Sequence, residues 1–263
     1  MEKATCVNLL FHRSRQRIRA LGEVFTPESY VDEMLAMLAK STPGAWSDTG
    51  ISFFEPTCGH GNIVVAILRK RLDSIFKKSL TGSAKEAAFY AVANALNTLW
   101  AIDIDPKNVT QCRARVFSVI VEFLKEKSGS GDLTTLVKRN QDFIAHILCA
   151  VKWHITENEA LSALSGTATK AAVSASQTRY GEKWFKSKGH SPLVFEKTWA
   201  SSFEESANRG AISAEFARAT RFIKQIVDGT GRASTDFNFA NILISPEITP
   251  RSSRVSSGEA VGA

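Results

Sequence analysis

Phe53-Phe54-Glu55-Pro56-Thr57-Cys58-Gly59-His60-Gly61-Asn62 is the stretch whose reading decides the fold. Together with Ile51-Ser52 before it, the run starts apolar and ends in an acidic residue and a proline. A turn with Gly59 and Gly61 follows, and then Ile63-Val64-Val65-Ala66-Ile67-Leu68, an apolar-periodic helix. The order is strand, tight loop, helix. Glycine admits positive φ and lets a ligand approach bare backbone, so loops of this kind sit beneath nucleotide-like cofactors.

Working upstream, Gly22-Glu23-Val24-Phe25-Thr26-Pro27 reads as a helix start, with Thr26 as N-cap and Pro27 at the first helical position. Val31, Met34, Leu35 and Leu38 continue it at helical spacing through residues 27–40. Downstream, residues 62–78 are expected to be helical, closing on Lys77-Lys78 where cations suit the helix dipole. Residues 84–97 form an alanine-rich helix. Leu99-Trp100-Ala101-Ile102-Asp103-Ile104-Asp105-Pro106 is a second buried strand ending in acidic residues. Asp105 is expected to cap the long helix that Pro106 opens and that runs to Lys127. A third strand is expected at Thr135-Leu136-Val137, leading into Gln141-Asp142-Phe143.

These pieces, in this order and spacing, resemble the S-adenosylmethionine-dependent DNA adenine methyltransferases, closest to the type I modification subunit and the phage or type IIG-like branch. The resemblance covers roughly residues 20–145. It implies that Phe25, Thr26 and Pro27 close over the methionine end of the cofactor. It implies that the loop from Glu55 through Pro56, Cys58, Gly59 and Gly61 to Asn62 wraps the same moiety. Asp103, with Ile104 after it, matches the position that holds the ribose hydroxyls, where a two-acceptor carboxylate suits a diol. Asp142 and Phe143 match the pair at the adenine, one accepting from the exocyclic amine and the other packing on the base. The implied fold is α/β, a Rossmann-like methyltransferase fold with a mainly parallel, doubly wound sheet and helical additions at both ends.

The chain departs from the family at the catalytic segment. The family carries Asp/Asn/Ser-Pro-Pro-Tyr/Phe after the fourth strand, where a polar group accepts from the target amine and the ring stacks on the flipped base. The seven prolines here include no adjacent pair. Ser191-Pro192-Leu193 and Ser245-Pro246-Glu247 come nearest, and neither has the second proline or the aromatic. His60 stands where the family has a small residue. Three readings therefore stay open: an adenine methyltransferase; a catalytically silent relative acting as a binding or interaction protein, as a partner subunit or in an anti-restriction or phage structural role; or a fold with neither cofactor nor catalysis, His60 blocking the loop.

Residues 1–21 form a basic arm whose Arg13, Arg15 and Arg17 could follow phosphates or simply face solvent. The segment with Arg179, Lys183, Trp184, Lys186 and Lys188 interleaves cations with aromatics, which suits either base stacking or an anchored loop. The net charge of +7 suits a polyanionic partner or a merely soluble basic protein, and the resemblance implies that the partner is DNA. Cys6, Cys58, Cys112 and Cys149 have no metal-ligand spacing, so no metal is expected and a reducing, cytoplasmic compartment is. No apolar run approaches the ~18 residues of a membrane span. The expected division is an arm at 1–21, a cofactor domain at 22–164, a C-terminal part at 165–248 and a disordered tail at 249–263. Within it, Trp153 to Leu164 reads as helical, 165–177 as a linker, 203–227 as an amphipathic helix, and Phe237 to Ile244 as a short strand.

Overall fold

The computed structural model describes residues 26–129, 132–164, 179–189, 191–205 and 210–228. The basic arm with Arg13, Arg15 and Arg17, Phe25, the 165–177 segment, the 237–244 strand and the tail all lie outside these residues. Helices dominate the rest. In chain order they are α1 (Glu28–Ser41), α2 (Asn62–Ser79), α3 (Ala84–Asn97), α4 (Pro106–Lys127), α5 (Leu133–Arg139), α6 (Gln141–His154), α7 (Ala160–Leu164), α8 (Arg179–Lys188), α9 (Trp199–Glu205) and α10 (Ala211–Asp228). Three short strands interrupt them: β1 (Phe53–Glu55), β2 (Leu99–Asp103) and β3 (Ile155–Glu157).

The strands form one parallel sheet in the order β1-β2-β3, with Phe53 opposite Leu99 and Ala101 opposite Ile155. Parallel neighbours require crossovers. Helices α2 and α3 make the first, and α4, α5 and α6 make the second. Strand alternation then divides the side chains. Phe53, Leu99, Ala101 and Ile155 turn to the main core, which α2, α3, α4 and α6 complete. Phe54 and Trp100 lie on the other face, where the Phe195 ring meets both edge-on at 5.2 and 5.6 Å. Trp199, Ala219, Phe222 and Ile223, from α9 and α10, join the same core. No helix among the described residues is long and apolar enough to cross a membrane.

Punctuation explains the helix ends. Ser83 caps α3 by accepting from the Glu86 amide, and Asp105 caps α4 by accepting from the Lys107 amide, with Pro106 behind it. Three expectations are corrected. Thr26 is not the cap of α1; Pro27 takes that place, and its carbonyl receives the Tyr30 and Val31 amides at 3.1 Å. Thr135-Leu136-Val137 is not a strand but the middle of α5. Asp132 receives the Thr135 amide and hydroxyl at 2.8 and 2.6 Å, so a capped first turn overrides the β-branched composition. Trp153 to Leu164 is not one helix: α6 ends at His154, β3 follows at once, and α7 begins only at Ala160.

His154 at this junction is buried, with its ring 4.2 Å from Trp100 and its Nε2 accepting the Trp199 amide. Burial pushes its pKa down to about 3. An unfolded histidine titrates near ~6.5, so below that pH the unfolded chain takes up a proton that the folded chain refuses. The His154 contribution is therefore complete above ~6.5 and is lost as pH falls toward 3, by up to about 1.4 kcal/mol per pH unit. The expected result is that wild type and His154→Gln converge in denaturant stability between neutral pH and pH ~5. A pH-independent gap between them would show that the ring is not held neutral.

Candidate functional site

The loop 56–61 leaves β1 at its carboxyl end and enters α2, beside the carboxyl end of β2. Its backbone is tied to the neighbouring strand. The Cys58 amide donates to the Ile102 carbonyl at 2.8 Å, and the Gly59 amide donates to Asp103 Oδ2 at 2.8 Å. The Gly61 amide closes the turn on the Cys58 carbonyl. Gly61 sits at φ 96°, and an ideal Cβ there would stand 2.8 Å from Cys112 Sγ on α4. This glycine thus serves close helix packing as well as a left-handed turn.

Asp103 is the hub. Besides Gly59, it receives the Asp105 amide at 2.8 Å and Asn108 Nδ2 at 3.3 Å, both on Oδ1. Burial raises its pKa above the usual carboxylate value, while these donors pull it back down. A carboxylate has about four lone-pair sites, so three donors leave room for about one more on Oδ2. Ile104 follows in the half-buried bend before Asp105.

Glu55 turns back on its own loop, accepting the Thr57 amide and hydroxyl at 3.1 and 3.2 Å across Pro56. That is a loop-holding role. Cys58 is buried, and its thiol is pushed up by a hydrogen bond to Cys112 and by burial, so it stays protonated and is no nucleophile.

The segment before α1 also reaches the loop. Asn62 Nδ2 donates to the Thr26 carbonyl at 3.1 Å, bringing Thr26 and Pro27 to the start of α2. Asn62 Oδ1 in turn receives Arg115 Nη1 at 2.8 Å, and the same nitrogen contacts His60 Nδ1 at 2.7 Å and the His60 carbonyl at 3.0 Å. Arg115 was not singled out in the sequence. It lies mid-helix on α4, more than fifty residues from its partners, and no local pattern marks it. Its guanidinium is half buried, which lowers its pKa, with Cys112 and Glu28 opposing that shift through space.

Asp142 and Phe143 are not at this site. Arg71 of α2 reaches Thr98 just below β2, and α2 continues two further turns away from the sheet before α3 returns. Phe89 of α3 lies on that returning stretch, and Phe143 stacks on it at 4.3 Å with parallel rings. The pair therefore sits beyond the amino ends of the strands, opposite Asp103, and Phe143 works in the core. The reason is topological: α5 and α6 occupy the span in which a third strand was expected, so Asp142 opens a helix instead of following a strand.

The cationic segment forms α8, in which Trp184 is buried while Lys183, Lys186 and Lys188 face solvent. Arg179 opens that helix. Trp184 is thus an anchor with no open face for a base. Comparison with known protein families, with curated proteins and with solved structures found no match to this chain.

Proposed function

We propose that the chain is an S-adenosylmethionine-binding protein of the DNA adenine methyltransferase type whose methyl transfer requires a second subunit. One observation carries this reading: the Gly59 amide donates to the Asp103 carboxylate across the carboxyl ends of two adjacent parallel strands. That edge of a parallel sheet is where such folds receive nucleotide-like ligands. Here the loop glycine and the acidic residue are assembled there from positions forty-four residues apart.

The surroundings support the ligand's two ends. The free lone pair of Asp103 suits a ribose hydroxyl. The amino end of α2 has Gly61 as its cap with no side-chain acceptor, and Arg115 stands beside it. Helix amides and a guanidinium together suit the carboxylate of the methionine moiety. Bound there, the cofactor supplies a methyl on a sulfonium, and transfer needs alignment with an acceptor amine more than a strong base. These 263 residues hold no Pro-Pro-aromatic segment to accept from that amine and stack on its base. DNA is the proposed partner, on the excess of lysine and arginine and the exposed Lys183, Lys186 and Lys188 of α8.

A second reading, a binding protein that keeps the fold without cofactor, rests on Asp103 being largely satisfied by its own chain. Calorimetry with S-adenosylmethionine and its demethylated product decides between the two. The expected result is saturable binding, weakened by about 1–3 kcal/mol in Asp103→Ala as loop and ligand donors lose their acceptor. Labelled-methyl incorporation into unmodified DNA should stay at background for this chain alone and appear when the partner subunit is added. DNA affinity should fall steeply with salt. Absence of binding heat at millimolar cofactor rules the first reading out.

A further inference from the structure

A cavity open to solvent lies against the β3 side of the sheet, with neither the 56–61 loop nor Asp103 in its lining. It encloses about 550 Å³, within the range of small-molecule sites. Three of the chain's five tryptophans, Trp100, Trp153 and Trp199, line it. Its charge is one-sided. Among the described residues Glu215 is the one carboxylate lining it, and it pairs with both Lys152 and Arg218. Lys197 and Arg113 add two further cations.

Arg113 is the unusual member. It projects from α4 and donates from Nε to the Ile155 carbonyl at 2.7 Å and from Nη2 to the Lys152 carbonyl at 3.0 Å. Two of its five N–H groups are thereby used, and no carboxylate pairs with it among the described residues. Burial lowers its pKa to about 10, so it remains charged at neutral pH. Glu215 and Glu157 act on it only through space, so its remaining donors stay open to an anion that makes direct contact. Trp100 adds a buried indole N–H with no acceptor among the described residues.

We propose that this cavity binds a flat aromatic anion, its ring against the tryptophan-lined wall and its acidic head on Arg113. Indole walls give a planar ring area without demanding a particular hydrogen-bond pattern, and the surplus of cations selects the charged head. Simple aromatic carboxylates and purine mononucleotides share that chemistry.

The test is quenching of intrinsic tryptophan fluorescence in the full chain by 2-naphthoate, with adenosine monophosphate as a second arm. Saturable one-to-one quenching is expected from 2-naphthoate, and much weaker quenching from the neutral 2-naphthalenemethanol. A tighter response to adenosine monophosphate identifies the nucleotide as the source; a weaker one identifies the carboxylate. Arg113→Gln should raise the dissociation constant about tenfold or more, with Arg113→Lys intermediate because it keeps the charge but not the fork. Because Arg113 also holds two carbonyls, Ala211→Trp provides an independent variant. Ala211 is exposed on the cavity lining, and the added ring blocks entry without touching those bonds. Binding unaffected by Ala211→Trp, equal binding of the neutral analogue, or competition by S-adenosylmethionine would each overturn the assignment.

Discussion

Arg71→Ala is expected to cost about 3–5 kcal/mol of folding stability, the combined toll of a cavity and of buried acceptors left without donors. Arg71 is completely buried in α2, an unusual place for a cation. Its Nη1 donates to the Ala45 carbonyl at 2.9 Å, and Nη2 donates to the Asp48 carbonyl at 3.1 Å and Thr98 Oγ1 at 2.7 Å. Its guanidinium also lies 4.8 Å over the Phe53 ring. One side chain thus joins the segment after α1, the first residue of β1 and the entry to β2, and in doing so sets the level at which the sheet begins. Burial lowers its pKa to about 10, with Asp48 opposing the shift, so it is a cation at neutral pH. Arg71→Met separates the two costs. It keeps most of the volume but none of the donors, and should lose about 1–3 kcal/mol. Circular dichroism across a urea titration measures both. A loss below ~1 kcal/mol for the alanine variant would mean that the fork is dispensable.

How much of this was legible in the sequence depends on where the deciding interaction lies. The β1-loop-α2 unit, the residue 84–97 helix and the Asp105 cap were legible, because glycine, proline and capping chemistry act over two to four residues. The parallel sheet was legible in kind, since apolar runs ending in acids alternate with helical periods. β3 was not. Three residues with no turn before them, entered straight from His154, leave no period-two signal to read. Thr135-Leu136-Val137 misled because β-branched residues favour strands, whereas Asp132 and Thr135 settle the matter through a hydrogen-bonded first turn. The misplacement of Asp142 and Phe143 followed from that error, because the resemblance assigned them to a strand end that the chain does not build. Arg71, Arg113 and Arg115 were illegible for a different reason. Each meets partners twenty-three or more residues away, and no spacing rule reaches so far.

Gly61→Ala is the second substitution expected to have a large effect, about 2–4 kcal/mol. Two costs add. A left-handed backbone carries a penalty of roughly 1–2 kcal/mol for any residue with a Cβ. The second cost is steric, since the new methyl would stand 2.8 Å from Cys112 Sγ and 3.3 Å from Cys112 Cα and Cβ. The sulfur is part of a side chain and can be removed; the Cα cannot. Cys112→Ala in the Gly61→Ala background should therefore recover the sulfur overlap alone, giving a coupling of about 1–2 kcal/mol relative to the summed single variants. The backbone strain should persist undiminished. The same variant reaches the site, because displacing the first turn of α2 from α4 moves Asn62 off both Thr26 and Arg115. The S-adenosylmethionine binding proposed above should weaken with stability in Gly61→Ala and return in part in the double variant. Unfolding curves for the four proteins of this cycle supply the measurement. Strict additivity, within about 0.5 kcal/mol, would show that Gly61 and Cys112 do not touch and that the loop glycine serves its turn alone.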